Sequence, residues 1–240
     1  MARRSLCRFG SLVLALASLT GCAPGNPGLV ILNVVSPNGQ CLFDVGNPAL
    51  ASGILDATVP PGRLRGYTVG LRVGNQLINL ASNGSRGVPS ADPNILTLES
   101  VEVELQDTAG NLIDVGGLPN PFTQPASGGA IPSSDGSAVS EGIAFAEVIP
   151  LIYVDALAGA NGSTIIVQIR AVGRTVGDAE VVSPVFGFPV TVCIDCLFGC
   201  PREADMEAAA ICRATCFPGQ DGFQSVCPEF GPSDCAVDGS

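Results

Sequence analysis

Histidine, tryptophan and lysine are all missing from the 240 residues, and only 14% of the chain is charged. Without His there is no Ser–His–Asp or Cys–His couple, no imidazole base and no His-ligated zinc. Without Lys there is no P-loop lysine and no Schiff base. All 11 cations are therefore Arg. No G-x-S-x-G motif occurs. The formal charge of −11 disfavours a groove that tracks phosphates, so no nucleic-acid partner is expected. Aromatics make up only 5%, which leaves the core to Val, Ile and Leu.

Gly (30) and Pro (19) are plentiful, and this favours turns and short strands over long helices. Hydrophobic residues reach 46%, so the composition is that of an ordered chain. The length suits one domain with a small appendage. No repeat recurs at a fixed period.

The first segment reads as an address. Arg3, Arg4 and Arg8 precede an apolar run from Phe9 to Leu19. That run is too short to cross a bilayer of ~30 Å as a helix and fits the apolar region of a secretory signal. It ends in Leu19-Thr20-Gly21-Cys22. Here the chain resembles bacterial lipoproteins, whose lipobox is Leu, two small residues and Cys. The resemblance implies a signal peptide over 1–21, diacylglycerol on the Cys22 thiol and N-acylation of Cys22 after cleavage. Ala23, not Asp, follows the Cys, which implies sorting to the outer membrane of a diderm bacterium. Three acyl chains make a stable anchor where one is marginal. Loss of residues 1–21 takes the charge from −11 to −14, because three Arg and no acid leave. Residues 22–28 then form a tether.

Residues 29–192 read as a mainly β domain, a two-sheet β-sandwich. Leu29–Val35 is a β-branched run that stops at the turn signal Ser36-Pro37-Asn38-Gly39. Ile54–Val59 is a weaker strand. In Tyr67–Val73, residues Tyr67, Val69, Leu71 and Val73 share one face. Leu96–Gln106 changes parity between Leu98 and Val101, which predicts a β-bulge near Glu99–Ser100. Asp107–Asn111 predicts a hairpin loop into a strand over Leu112–Val115. Residues 116–137 predict a long loop around a short strand at Phe122, followed by a strand over Ala138–Val148. Leu151–Ala158 has the apolar spacing of a two-turn helix. Thr164–Ala171 alternates again, with Ile165, Val167, Ile169 and Ala171 inward. Val181–Val192 reads as one strand, and its Pro184 and Pro189 suit an edge. A closed barrel is the rival architecture.

The stretch Gly53-Ile54-Leu55-Asp56, then Tyr67 with Leu71-Arg72-Val73-Gly74-Asn75-Gln76-Leu77, is similar to one in uncharacterised bacterial lipoproteins with a Cys-rich tail. That resemblance implies localisation and architecture and carries no activity.

Residues 193–240 form the Cys-rich segment, with spacing C-x2-C-x3-C-x11-C-x3-C-x10-C-x7-C. Cys7 leaves with the signal peptide and Cys22 is acylated. Cys41, Cys193, Cys196, Cys200, Cys212, Cys216, Cys227 and Cys235 remain. An even number in an exported chain predicts four disulfides of undetermined pairing. Cys41 is a candidate staple from the first hairpin to the tail. A thiolate zinc site is the sharper alternative, but there is no second C-x2-C. A redox Cys193/Cys196 pair would need a helix N-terminus, and this one follows a strand. Pro201–Thr215 is the best helix, with Pro at its start and Glu203 and Asp205 near the positive end.

The remaining candidates are weak. Glu102 and Glu104 point outward on one strand about 7 Å apart, near a glycosidase spacing. The sugar-stacking aromatics such a site uses are scarce here, and a solvated strand face is the simpler reading. Asp56 is expected to fix a turn or to bond Arg63 or Arg65. No D-x-[DN]-x-[DN]-G calcium loop occurs. Asn83 and Asn161 lie in N-x-S sequons that a bacterial lipoprotein would not use. The expectation is thus a non-catalytic, membrane-anchored envelope protein without metal or cofactor. It would bind or scaffold an envelope protein or polysaccharide. The alternatives are an envelope enzyme using carboxylates, or a redox or metal protein using the tail cysteines.

Overall fold

A computed structural model describes residues 28–38, 40–57, 66–79, 92–194, 196–197 and 220–221. The expected signal peptide, Cys22, the helix expected over Pro201–Thr215, and Cys200, Cys212, Cys216, Cys227 and Cys235 lie outside these residues. The described part is mainly β, with one short helix. The strands are β1 (Leu29–Val35), β2 (Ala49–Leu50), β3 (Gly53–Asp56), β4 (Tyr67–Asn75) and β5 (Leu96–Gln106). They continue with β6 (Phe122–Gly128), β7 (Ser140–Ile149), β8 (Thr164–Thr175), β9 (Glu180–Val182) and β10 (Phe186–Cys193). Helix α1 (Leu151–Leu157) and a 3-10 turn (Ala158–Ala160) connect β7 to β8.

The order across the sheet is β2-β1-β4-β7-β6-β5-β8-β10-β3, with β9 beside β8. All pairs are antiparallel except β3 with β10. Two separate sheets were expected, but here the sheet is continuous. Strand β6 is the reason: its Phe122–Pro125 half pairs with β5 and its Ala126–Gly128 half with β7. The sheet curls into a nearly closed, barrel-like form around one core. Tyr67, Tyr153 and Phe188 are the large aromatics of that core, and Val, Ile and Leu supply most of the rest.

Parity explains the strands. In β5 the pairing jumps from Leu98–Gly173 to Ser100–Val172, so Glu99 is the extra residue. The bulge puts Leu96, Leu98, Val101, Val103 and Leu105 all inside, as the pattern predicts. Strand β1 carries a second register shift between Ile31 and Asn33. It leaves Leu29, Ile31, Val34 and Val35 buried and turns Leu32 outward. Tyr67, Val69, Leu71 and Val73 of β4 face the core, as do Ile165, Val167, Ile169 and Ala171 of β8. Helix α1 buries Tyr153, Val154 and Leu157, and Pro150 in an extended conformation starts it.

Four local expectations need correction. The hairpin after β5 forms around Asp107, which accepts the Ala109 and Asn111 N–H groups. Beyond it, the expected strand over Leu112–Val115 shrinks to a bridge between Leu112 and Gln106. Asn120 takes the place of a longer strand: its Oδ1 accepts the Leu105 N–H, and its amide donates to the Leu105 and Ile113 carbonyls. Strand β6 is seven residues long, more than a short strand at Phe122. Val181–Val192 splits into β9 and β10 at Ser183-Pro184-Val185, where Ser183 Oγ accepts the Ala171 N–H and donates to Pro184 O. Strand β10 is not at the edge, since β8 and β3 flank it. Pro189 is tolerated because β3 begins pairing only at Val190.

Candidate functional site

Parallel pairing of β3 with β10 sets Asp56 opposite Cys193 at one end of the barrel. Asp56 is 1% exposed. Its Oδ2 accepts the N–H groups of Cys196 and Leu197, each at 3.0 Å. The Ala57 N–H donates to Cys193 O at 2.9 Å. Asp56 therefore fixes a turn, as expected, and the turn is the C-x2-C loop. Arg63 and Arg65 lie outside the described residues. Cys193 and Cys196 form a disulfide. Cys196 is exposed and Cys193 half-buried. The ligand atoms of Asp56, Cys193 and Cys196 all lie within 4.8 Å of one another. While the sulfurs are joined there is no thiolate to attack a substrate or hold an ion; after reduction the set would be two sulfurs and one oxygen. Cys41 is also disulfide-bonded, and its partner lies outside the described residues.

Beside this loop, Gln220 and Asp221 return to the free edge of β3. Gln220 bridges Leu55, and its amide donates to the Gly66 carbonyl. The Asp221 N–H donates to Ile54 O, and Asp221 Oδ1 accepts the Ile54 N–H at 2.8 Å. The Tyr67 hydroxyl donates to Asp221 Oδ2 at 2.6 Å. Nothing in the sequence pattern pointed to this clasp, because its partners are 154 residues apart.

Burial pushes the Asp221 carboxyl above the ordinary carboxylate range, against the pull of the Tyr67 and Ile54 hydrogen bonds. A folded pKa above the unfolded one means that docking contributes most below the unfolded value of ~3.9. That contribution is lost as pH rises through the folded pKa. Urea midpoints of the wild type and Asp221→Asn, compared from acid to neutral pH, should diverge with the wild type losing ground as pH rises. Parallel pH profiles would remove the clasp from the stability of the fold.

A third place lies on the outer face of β5 and β8. A shallow cavity of about 370 Å³ is lined there by Glu102, Glu104, Gln106, Gln168, Arg170 and apolar neighbours that include Pro121 and Val185. Glu102 pairs with Arg170 at 3.1 Å, both half-exposed. Gln106 donates to Glu104 and accepts from Gln168. The two carboxylates expected on one face are thus found there, each with a cross-strand or same-strand donor. No aromatic side chain lines the cavity. An acid–base pair for glycoside cleavage needs a buried acid beside a sugar platform, and neither is present in this cavity.

No family model and no curated protein matches the chain. Asn83 lies outside the described residues. Asn161 sits in the turn after the 3-10 segment.

Proposed function

We propose that the protein is a lipid-anchored, non-catalytic component of a bacterial cell envelope. Its β-domain would bind or scaffold an envelope protein or polysaccharide. The observation that carries this reading is Leu19-Thr20-Gly21-Cys22 directly after an apolar signal run, with β1 beginning at Leu29. Ala23 supports outer-membrane sorting, and the two halves of the sheet, joined through β6, serve as the two layers of a sandwich. The outer-face chemistry supports binding over catalysis. Glu102 and Glu104 are engaged by Arg170 and Gln106 on an open face that exchanges with water. Cys193–Cys196, with Asp56 holding the loop's N–H groups, supports a structural role for the cysteines.

The test is an intact mass of protein extracted from native membranes, with and without alkylation of free thiols. The expected species starts at Cys22, carries three acyl chains, lacks eight thiol hydrogens for the eight remaining Cys, and takes no alkylating label. Unlipidated protein would overturn the anchor. Several reactive thiols, or zinc retained by the native protein, would instead favour the second reading. In that reading Asp56, Cys193 and Cys196 form a redox or metal site.

A further inference from the structure

The Cys-rich segment meets the barrel at a second place besides the Cys193–Cys196 loop. Gln220 is 4% exposed, bridges Leu55, and donates its amide to Gly66 O. Asp221 takes up both main-chain groups of Ile54: Oδ1 accepts the N–H, and the Asp221 N–H donates to the carbonyl. An open strand edge is a template for pairing with another chain. Here two residues of the same chain fill part of that edge. Asp221 does so at a φ of +42°, a region that non-glycine residues rarely adopt.

The loop between β1 and β2 lies close to this contact. It starts after Val35, which pairs with Gly70. Tyr67, the partner of Asp221, is three residues along the same strand, or about 10 Å. The loop is folded on itself. Asn38 Oδ1 accepts the Gln40 and Leu42 N–H groups, and the Asn47 amide donates to Ser36 O and Leu42 O. Phe43 seats it on the barrel, 5.2 Å from Phe145 and over Gly70, where a Cβ would strike its ring. Leu42, next to Cys41 in the chain, is nonetheless 58% exposed, and Val45 is 37% exposed. Cys41 is disulfide-bonded to a partner outside the described residues, and Asn38 and Phe43 each make a further contact.

We propose that the Cys-rich segment is a strap seated on this loop. It crosses the edge of β3 at Gln220–Asp221, is joined to Cys41 by a disulfide from Cys216 or Cys227, and lays its own apolar residues over Leu42 and Val45. Chain length selects these two cysteines. Cys216 is four residues before Gln220 and Cys227 six after Asp221, reaches of at most about 14 and 21 Å. The other tail cysteines stand at greater distances along the chain. Between the two lie Phe217, Phe223 and Val226, apolar residues that suit an exposed Leu and Val. The cross-link shortens the loop that must close, and so raises the effective concentration of Asp221 at Ile54.

The inference rests on the reading of the chain as exported, since such a disulfide persists in an oxidising compartment. Forming it joins two Sγ atoms and passes two protons and two electrons to a protein disulfide, which becomes a dithiol.

The test is a disulfide map of the lipidated, full-length protein. The chain has no Lys, so trypsin cuts at Arg alone, and a cut after Arg213 isolates Ala214–Ser240. Without reduction, the Cys41 peptide should be joined to that peptide. Chymotryptic cleavage after Phe223 and Phe230 should then place the bond on Cys216 or Cys227. A bond from Cys41 to Cys200, Cys212 or Cys235, or an alkylated Cys41, overturns the strap. The map uses the unsubstituted chain, so it stands whether or not a variant folds. In Cys41→Ser, hydrogen exchange at the Ile54 N–H should rise at least about tenfold while β4 and β8 stay protected. Unchanged exchange at Ile54 overturns the cross-link's hold on the edge. If Leu42→Arg turned a dimer into a monomer by light scattering and left Ile54 exchange unaltered, the loop would be an interface between copies, and the strap falls. Acylated protein with Cys41 free defeats the strap alone. Protein without acyl chains and with every thiol free defeats the exported reading, and the strap with it.

Discussion

Truncating Tyr67 to alanine is expected to be the most damaging single change in the described fold. The ring is fully buried and leans on Phe188, with centroids 6.3 Å apart. Removing a large aromatic from a packed core costs about 3–5 kcal/mol, because the surroundings relax only partly into the space. The hydroxyl adds a second loss. Asp221 would keep the Ile54 N–H but lose its phenol donor, and an under-satisfied buried acceptor costs about 1–3 kcal/mol. Tyr67→Phe isolates that second part, since it keeps the ring. The donor itself is robust: burial, then the charge and hydrogen bond of Asp221, raise the phenol well above its ordinary value, so it stays protonated. Gly53 shows how closely the site is built, because a Cβ there would collide with the Tyr67 hydroxyl. Urea unfolding of the three proteins should give midpoints in the order wild type, Phe, Ala. A loss below about 1 kcal/mol for Tyr67→Ala would be incompatible with a core position.

Much of the sheet is legible in the sequence because burial on one face leaves a period of two. Strand β4 is read from Tyr67, Val69, Leu71 and Val73, and β8 from Ile165 to Ala171. The parity change between Leu98 and Val101 predicts a bulge near Glu99–Ser100, and Glu99 is the extra residue. Where the signal is not one-sided burial, the reading fails. Strand β2 is two residues long and has no pattern to detect. Strand β6 is exposed or half-exposed along its whole length, so nothing in its composition marks it as the strand that joins the two halves. The missing strand over Leu112–Val115 reflects a competitor, the Asn120 amide, whose bonds to Leu105 lie 15 residues away.

The candidate sites divide along the same line. Local grammar suggests the lipobox and gives the cysteine spacing, and it places the outward Glu102–Glu104 pair on one face. The partners of Asp56 are 140 and 141 residues away in the C-x2-C loop. Those of Tyr67 and Gly66 are 154 residues away in the tail. Only the parallel register of β3 on β10 and the return of Gln220–Asp221 create these contacts, and neither leaves a trace in spacing. Together they make the cysteine end a cross-linked, hydrogen-bonded terminus remote from Leu29.

Asn75→Ala is expected to be the second most damaging substitution, and it acts at the opposite end. Asn75 ends β4 and is fully buried. Its amide donates to Asn94 O at 2.8 Å and to Ile131 O at 3.3 Å, and its Oδ1 accepts the Leu77 N–H at 3.0 Å. Ile131 O keeps the Leu96 N–H as a partner, so alanine orphans two main-chain groups, those of Asn94 and Leu77. At about 1–3 kcal/mol each, with water reaching the more exposed one, the loss should be about 2–4 kcal/mol. Asn75→Asp separates the amide from the carbonyl. The carboxylate can still accept from Leu77 but cannot donate to Asn94, and burial raises its pKa. A raised folded pKa makes that variant more stable at acid pH than at neutral pH, the gain fading as pH rises through the folded value. Asn75 also fixes the Asn94–Ile95 segment, to which Ile78 and Val176 are hydrogen-bonded. Loss of this one amide should therefore raise hydrogen exchange at Leu77 and Val176 before it affects β10. If exchange rose evenly through the barrel instead, Asn75 would be an ordinary core residue and not the strut of the Leu29 end.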